Sequence, residues 1–198
     1  MSPVQPRVLV VEDNDLVARA FQLLIEEHAE VVLAANAAEA RRVIGASNGD
    51  FTAMVLDIRL PDGSGLDVLD HARANGYQGP ALVYSGNHQP AELNRAFGLR
   101  AEYLVKPAPA EALVSFVKRA VERRTTQTWI ESWADRHQLT PAERAILVAA
   151  ARGQTRSEID AQHANPQTAK THVHNLLAKT GDASLLAAVT RALRERTS

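Results

Sequence analysis

The chain has 198 residues, room for one large domain or two small ones, and its 45% apolar and 23% charged side chains exclude global disorder and low-complexity architectures. Cysteine is absent, which excludes disulfide staples, thiolate metal sites and a thiol nucleophile. The net charge of −1 hides an asymmetry: residues 1–123 carry 12 basic and 16 acidic side chains, whereas residues 124–198 carry 10 and 7 with four of the seven histidines, as expected of two parts with two tasks, the second compatible with nucleic acid. Residues 1–7 lack the apolar run of a signal peptide, and the most apolar stretch, 145–151 between Arg144 and Arg152, is too short to span a bilayer, so a cytoplasmic protein without membrane contact is expected.

In chain order, short apolar runs rich in β-formers occupy 8–11, 31–33, 53–56, 81–84 and 103–105, and amphipathic stretches occupy 15–28, 37–46, 65–74, 89–98 and 109–123. Five strands alternating with five helices predict an α/β fold, a (βα)5 doubly wound parallel sheet covered on both faces. The runs are almost continuously apolar, as strands buried on both sides are. Such sheets place their sites beyond the carboxyl ends of the strands, and there the informative residues fall: Glu12 and Asp13 after the first, Asp57 after the third, Ser85 closing the fourth, Lys106-Pro107 after the fifth.

From about 124 to 138 the pattern changes. Thr125, Thr126 and Thr128 are poor helix formers, while Trp129 and Trp133 stand at helical spacing. This segment reads as a partly helical linker that can continue the fifth helix, with the tryptophans docking it onto a domain or joining two protomers. Residues 139–198 read as a small all-α bundle of four helices. Thr140-Pro-Ala-Glu143 and Thr155-Arg-Ser-Glu158 are capping boxes, Asn165-Pro166 is an N-cap followed by proline, and a last helix starts near Asp182 or Ser184.

Two carboxylates on adjacent strand ends repel unless a cation or proton intervenes. A hard divalent ion answers that: Mg²⁺ prefers oxygen ligands and bridges carboxylates to phosphoryl groups. One oxygen of Asp57 then remains as a nucleophile, and carboxylates do form aspartyl-phosphates. Charge spread over the equatorial oxygens of the transition state can be met by Mg²⁺, the Lys106 ammonium and the Ser85 hydroxyl.

Four motifs carry a resemblance: Val-Leu-Val-Val-Glu12-Asp13-Asn14, Asp57-Ile-Arg-Leu-Pro61-Asp-Gly-Ser-Gly65, Ser85-Gly-Asn, and Tyr103-Leu-Val-Lys106-Pro107. In order and spacing, residues 1–123 resemble the receiver domain of bacterial two-component response regulators, which implies a flavodoxin-like fold. The resemblance implies Asp57 as phosphoacceptor, Glu12, Asp13, Asp57 and the Arg59 backbone carbonyl as the Mg²⁺ pocket, and Lys106 as the phosphoryl-binding lysine. Ser85 and Tyr103 would be the switch pair. It further implies a sensor histidine kinase as donor and a homodimer on activation.

Leu139-Thr-Pro-Ala-Glu-Arg144, Gly153, Glu158-Ile159 and Thr168-Ala-Lys170-Thr-His172-Val173 resemble a LuxR-type (NarL/FixJ) helix-turn-helix output domain. The recognition helix would span about 166–179 and present Gln167, Lys170, Thr171, His174 and Asn175 to DNA. The segment Asp160-Ala-Gln-His-Ala-Asn165 is one residue shorter than the family pattern, and Ala169, Thr180 and Asp182 replace larger or apolar residues. Lys170 and Lys179 are the only permanent cations of this helix, so DNA affinity is expected to be weak without dimerisation. The expected organisation is a receiver at 1–123, a linker at 124–138 and an output domain at 139–198, controlling transcription through DNA. The alternative is an output domain that dimerises or binds protein. A hydrolase using the same aspartate lacks a second acid two residues beyond Asp57, where Arg59 stands, so a regulator rather than an enzyme is expected.

Overall fold

The computed structural model describes residues 5–47, 50–86, 89–162 and 166–196. In chain order the elements begin β1 (Arg7–Val11), α1 (Asp15–Ile25), β2 (Glu30–Ala34), α2 (Ala37–Ala46), β3 (Ala53–Leu56), β4 (Arg59–Leu60), β5 (Gly63–Ser64) and α3 (Gly65–Ala74). They continue with β6 (Ala81–Ser85), α4 (Pro90–Gly98), β7 (Ala101–Val105), α5 (Ala110–Arg136), α6 (Pro141–Ala151), α7 (Arg156–Ala161), α8 (Pro166–Thr180) and α9 (Leu185–Arg196). The chain divides into two compact units, Met1–Glu122 and Arg123–Ser198.

The first unit is built on a five-stranded sheet of order β2-β1-β3-β6-β7 in which every neighbouring pair is parallel. Strand alternation sorts the core into two layers. Leu9, Val11, Met54, Leu56 and Val83 face the apolar stripes of α2 and α3, with Ala96 of α4. Val8, Val10, Val55 and Leu82 face Phe21 and Ile25 of α1 and Leu113, Phe116 and Val117 of α5. The doubly wound parallel sheet expected from the alternating pattern is therefore the observed fold. From β1 the chain steps first to β2 on one side and then to β3 on the other, so the crevice at the carboxyl ends of β1 and β3 is a topological switch point.

A feature beyond the sequence reading is the two-stranded β4–β5 hairpin following Asp57. The Asp62 carboxylate at its tip accepts the backbone N–H groups of Ala37 (2.7 Å) and Ala38 (2.8 Å) at the start of α2. These hydrogen bonds hold the Asp62 carboxyl below its ordinary value of 3.8.

The second unit is helical. Thr140 and Thr155 form the two capping boxes read from the sequence, and the Ser184 hydroxyl accepts the Ala187 N–H at the start of α9. The Asn165 cap and the turn at 163–165 lie outside the described residues, as do Asn87 and His88. The segment 124–138 is not a free-standing connector. It is helical through Arg136, and Ile130, Trp133 and Ala134 enter the core of the second unit beside Leu147, Leu176 and Ala192. Tertiary contacts override the low helix propensity of its threonines: Arg196 donates to Thr126 Oγ1 (2.7 Å) and Arg152 to Gln127 Oε1 (2.6 Å). Trp133 is fully buried and donates its Nε1–H to Glu195 (2.9 Å), while Trp129 donates to the Ala192 carbonyl (2.6 Å). Both tryptophans dock α5 onto α9 within one chain, so Trp133 has no face left for a second protomer.

Candidate functional site

The acid pocket forms because three strands end together. The Asp57 N–H donates to the Val11 carbonyl (2.8 Å) and the Glu12 N–H to the Ala34 carbonyl (3.1 Å), prolonging the ladders one residue beyond the strands. This brings a carboxylate oxygen of each of Glu12, Asp13 and Asp57 within 4.8 Å of one another. Glu12 is 4% and Asp57 9% exposed, whereas Asp13 faces solvent. Asp13 is not the cap of α1. The Asn14 side chain accepts the Leu16 and Val17 N–H groups, leaving the Asp13 carboxylate to the pocket.

Lys106 follows β7, with β6 separating it from β3. Strands lie about 4.8 Å apart, so its stem crosses β6 and meets carboxylates whose own side chains extend toward it. Nζ stands 2.6 Å from Asp57 Oδ2 and 3.0 Å from Glu12 Oε2. Burial disfavours the ammonium, but the hydrogen bonds and negative charges of Asp57 and Glu12 together outweigh it and hold Lys106 above its ordinary 10.5. Glu12 behaves in the opposite sense. Burial lifts its carboxyl above the ordinary 4.5, Lys106 offsets this only in part, and the charge of Asp57 adds to the lift. Asp57 Oδ1 accepts the Arg59 N–H at 3.2 Å. Asp57, Arg59, Gly86 and Lys106 line a cavity of about 450 Å³.

Ser85 closes β6 directly before Gly86 of that cavity, and its side chain is buried. Tyr103 lies on the neighbouring strand opposite Val83, half-buried against the layer that holds α2 and α3. The sheet thus brings Glu12, Asp13, Asp57 and Lys106 together at one edge, with Ser85 at the same end of the sheet and Tyr103 lower on β7.

In the second unit, Gln167, Lys170, Thr171, His174 and Asn175 all lie on the exposed side of α8, while Ala169, Val173 and Leu176 face the core. Lys179, counted in the sequence as a cation of this helix, is paired within the unit. Its Nζ lies 2.6 Å from Glu143 Oε2 and 3.1 Å from the Gln138 carbonyl. Burial would raise the 2%-exposed Glu143, but Lys179 and the Thr140 cap overcome it and hold the carboxyl below its ordinary 4.5. Asp182 pairs with Arg191 (2.9 Å), which also donates to the Thr180 carbonyl (2.7 Å).

Comparison with known proteins decides the family. The profile of the response regulator receiver domain matches residues 8–118, more than half of the chain. The chain belongs to the response regulator receiver domain family. Among curated proteins it is 29% identical over 123 residues to the uncharacterized transcriptional regulatory protein YkoG of Bacillus subtilis, covering 61% of this chain and 53% of that protein. It is 29% identical over 118 residues to the cell cycle response regulator CtrA of Brucella ovis, covering 59% and 50%. The chain thus matches about half the length of these relatives. Among solved structures, the non-phosphorylated HemR receiver domain of Leptospira biflexa superposes with a TM-score of 0.54 at 28% identity, covering 59% of this chain and 94% of that one. A CheY-like receiver domain of Methanospirillum hungatei superposes with a TM-score of 0.55 at 23% identity, covering 62% and 98%, and supports the fold.

Three residues of the receiver domain carry a role that the sequence did not assign, although Asp62 and Gly65 stand inside the motif at 57–65. Gly65 lets α3 start against the Asp57 loop: a Cβ there would stand 2.0 Å from the Asp57 carbonyl oxygen. Asp62 ties the same loop to α2. Tyr84 places its ring centroid 4.9 Å from Lys106 Nζ. Each acts through a partner eight or more residues away in the chain. Among the described residues no helix is long and apolar enough to cross a membrane.

Proposed function

We propose that Asp57 accepts a phosphoryl group from the phosphohistidine of a sensor histidine kinase, and that the added charge switches the helical unit. The observation that carries this reading is the Lys106 ammonium 2.6 Å from a nearly buried Asp57 that shares its pocket with two further carboxylates. An Asp57 oxygen attacks phosphorus. The O–P bond forms as the P–N bond to the donor histidine breaks, and the imidazole leaves with that electron pair and takes up a proton. Lys106 then transfers its hydrogen bond from the carboxylate to a phosphoryl oxygen, and Ser85 and Tyr103 rearrange in response.

The donor set suits Mg²⁺, because every group in it is a hard oxygen. Glu12, Asp13, Asp57 and the Arg59 carbonyl would hold the ion. When bound it supplies positive charge that offsets repulsion among the acids and the charge of the phosphoryl oxygens. The chain acts as a signal carrier rather than a turnover enzyme, since Arg59 occupies the position from which a second acid would direct water in a hydrolase. The test is incubation with Mg²⁺ and a small acyl-phosphate. Wild type gains the mass of one phosphoryl group, lost again in base. The reading fails if no gain occurs or if it persists in Asp57→Ala.

The output is transcriptional control by α8 in the DNA major groove, in a homodimer formed on activation. Its support is the exposed row Gln167, Lys170, Thr171, His174 and Asn175. A second reading, in which the helical unit binds protein or only dimerises, is favoured by the loss of Lys179 to Glu143 and by the pairing of Arg144 with Asp135 and Arg156 with Asp160. A salt titration against DNA fragments separates the two. DNA binding gives a steep salt slope that flattens by about one counterion in Lys170→Ala. A flat profile supports the protein-binding reading.

A further inference from the structure

β6 sends consecutive side chains to opposite layers of the receiver core. Val83 and its β7 neighbour Tyr103 belong to the layer of α2 and α3, whereas Tyr84 and its neighbour Leu104 belong to the layer of α1 and α5. Because Lys106 must cross β6 to reach Asp57, its stem passes over the strand that carries Tyr84. The ring centroid of Tyr84 lies 4.9 Å from Nζ. Phe21 of α1 meets the same ring edge-on, with centroids 5.1 Å apart and planes at 67°. The ammonium therefore has two carboxylates and one π-face around it.

These contacts differ in what they tolerate. A hydrogen bond to a carboxylate weakens steeply when its angle is lost. The attraction of an ammonium to an aromatic face is spread over the ring and persists within about 6 Å of the centroid. Phosphoryl capture requires Lys106 to exchange partners, because the oxygen it holds belongs to the group being modified. We infer that Tyr84 is a positioning residue for Lys106, its ring face keeping the ammonium at the pocket while the carboxylate is exchanged for a phosphoryl oxygen. Phe21 fixes the ring in the orientation that presents this face. Without the ring, a lysine side chain that is 25% exposed can turn outward to water between the two partners. This role rests on the phosphoacceptor reading above.

The test is a double-mutant cycle on the full chain with acyl-phosphate and Mg²⁺, read as the initial rate of phosphoryl gain by intact mass. Tyr84→Leu slows the gain by about three- to thirtyfold, the span expected for loss of a cation–π contact. Tyr84→Phe keeps the face and restores the rate. In a Lys106→Ala background Tyr84→Leu causes no further loss, because the ring no longer has an ammonium to hold. Should Tyr84→Leu fail to fold, Tyr84→Met takes its place as a ringless side chain of similar reach. Equal slowing in both backgrounds, or a wild-type rate in Tyr84→Leu, overturns the inference.

An NMR measurement on lysine-labelled protein separates this from failure of the phosphoacceptor reading. The Lys106 Hε protons are shifted upfield by the ring current in wild type and Tyr84→Phe, and the shift is lost in Tyr84→Leu. If wild type takes up no phosphoryl group, the phosphoacceptor reading falls while the shift still reports the contact. Absence of the shift overturns the positioning role whatever the rates.

Discussion

Lys106 reaches across β6 to place its Nζ 2.6 Å from Asp57 Oδ2, joining the ends of two strands that do not pair with each other. The same ammonium serves Glu12 at 3.0 Å, and both carboxylates are at most 10% exposed. Lys106→Ala leaves two neighbouring buried acids without a cation. Thermal and denaturant melts should show a loss of about 1–3 kcal/mol. Phosphoryl gain from an acyl-phosphate should fall roughly a hundredfold, the usual cost of deleting one charge-stabilising donor. Wild-type stability in the variant would mean that the acids do not depend on this lysine.

Divalent metal should stabilise the same pocket by mass action. With Mg²⁺ at about 100 times its Kd, the gain is about 2.7 kcal/mol. Chelation reverses it. Asp13→Asn and Asp57→Asn each diminish it, because each removes one anionic oxygen from a set lying within 4.8 Å. Titration of Tm against Mg²⁺ for the three proteins checks this, and identical curves would count against the acidic cluster as the metal site.

Gly65→Ala tests how closely α3 abuts the Asp57 loop. The new methyl would lie 2.0 Å from the Asp57 carbonyl oxygen and 3.2 Å from Leu56 Cβ. Backbone cannot yield as a flexible side chain does, so α3 or the loop must shift. The expected loss is about 1–3 kcal/mol together with slower phosphoryl gain. A melt indistinguishable from wild type would show that the loop has slack.

Acid should weaken the second unit through Glu143. Its carboxyl is held below 4.5 in the folded protein by Lys179 and by Thr140, against the opposing influence of burial. The folded state therefore binds the proton more weakly than the unfolded chain. The resulting stability is complete above about pH 4.5 and is lost as pH falls through the lower folded value. Lys179→Met removes the ammonium from a 2%-exposed carboxylate and should cost roughly 2 kcal/mol at neutral pH, less than a fully buried pair because Lys179 keeps a solvent face. Fluorescence of Trp129 and Trp133, both packed in the core of the second unit, followed between neutral and acid pH in both proteins, reads the difference. An acid transition unchanged by the substitution would assign it to other carboxylates.

Much of this protein is legible in its order of residues. The apolar runs predict every strand of the main sheet to within two residues at either end, because strands buried on both faces must be apolar throughout. The side chains that follow those runs predict the acid pocket, because parallel strands put their carboxyl ends on one edge. The two capping boxes locate the starts of α6 and α7, since a cap is chemistry within four residues. The hairpin after Asp57 was not legible, and the continuation of the fifth helix into 124–138 was legible only as one option, because both depend on partners elsewhere in the chain, Asp62 on α2 and Thr126 on Arg196.

By itself, then, the sequence determined the doubly wound sheet, the gathering of Glu12, Asp13, Asp57 and Lys106, and the helical character of the remainder, all of which follow from periodicity and from the direction of the strands. Tertiary structure alone decided which charges are spoken for. Lys179 and Lys170 have the same side chain on the same helix, yet Lys179 closes onto Glu143 while Lys170 faces outward. Tyr84 and Tyr103 are both strand tyrosines, yet one lies beneath the ammonium of Lys106 and the other against the opposite core layer. A side chain's electrostatic partner is set by distances across the fold, which local sequence does not contain.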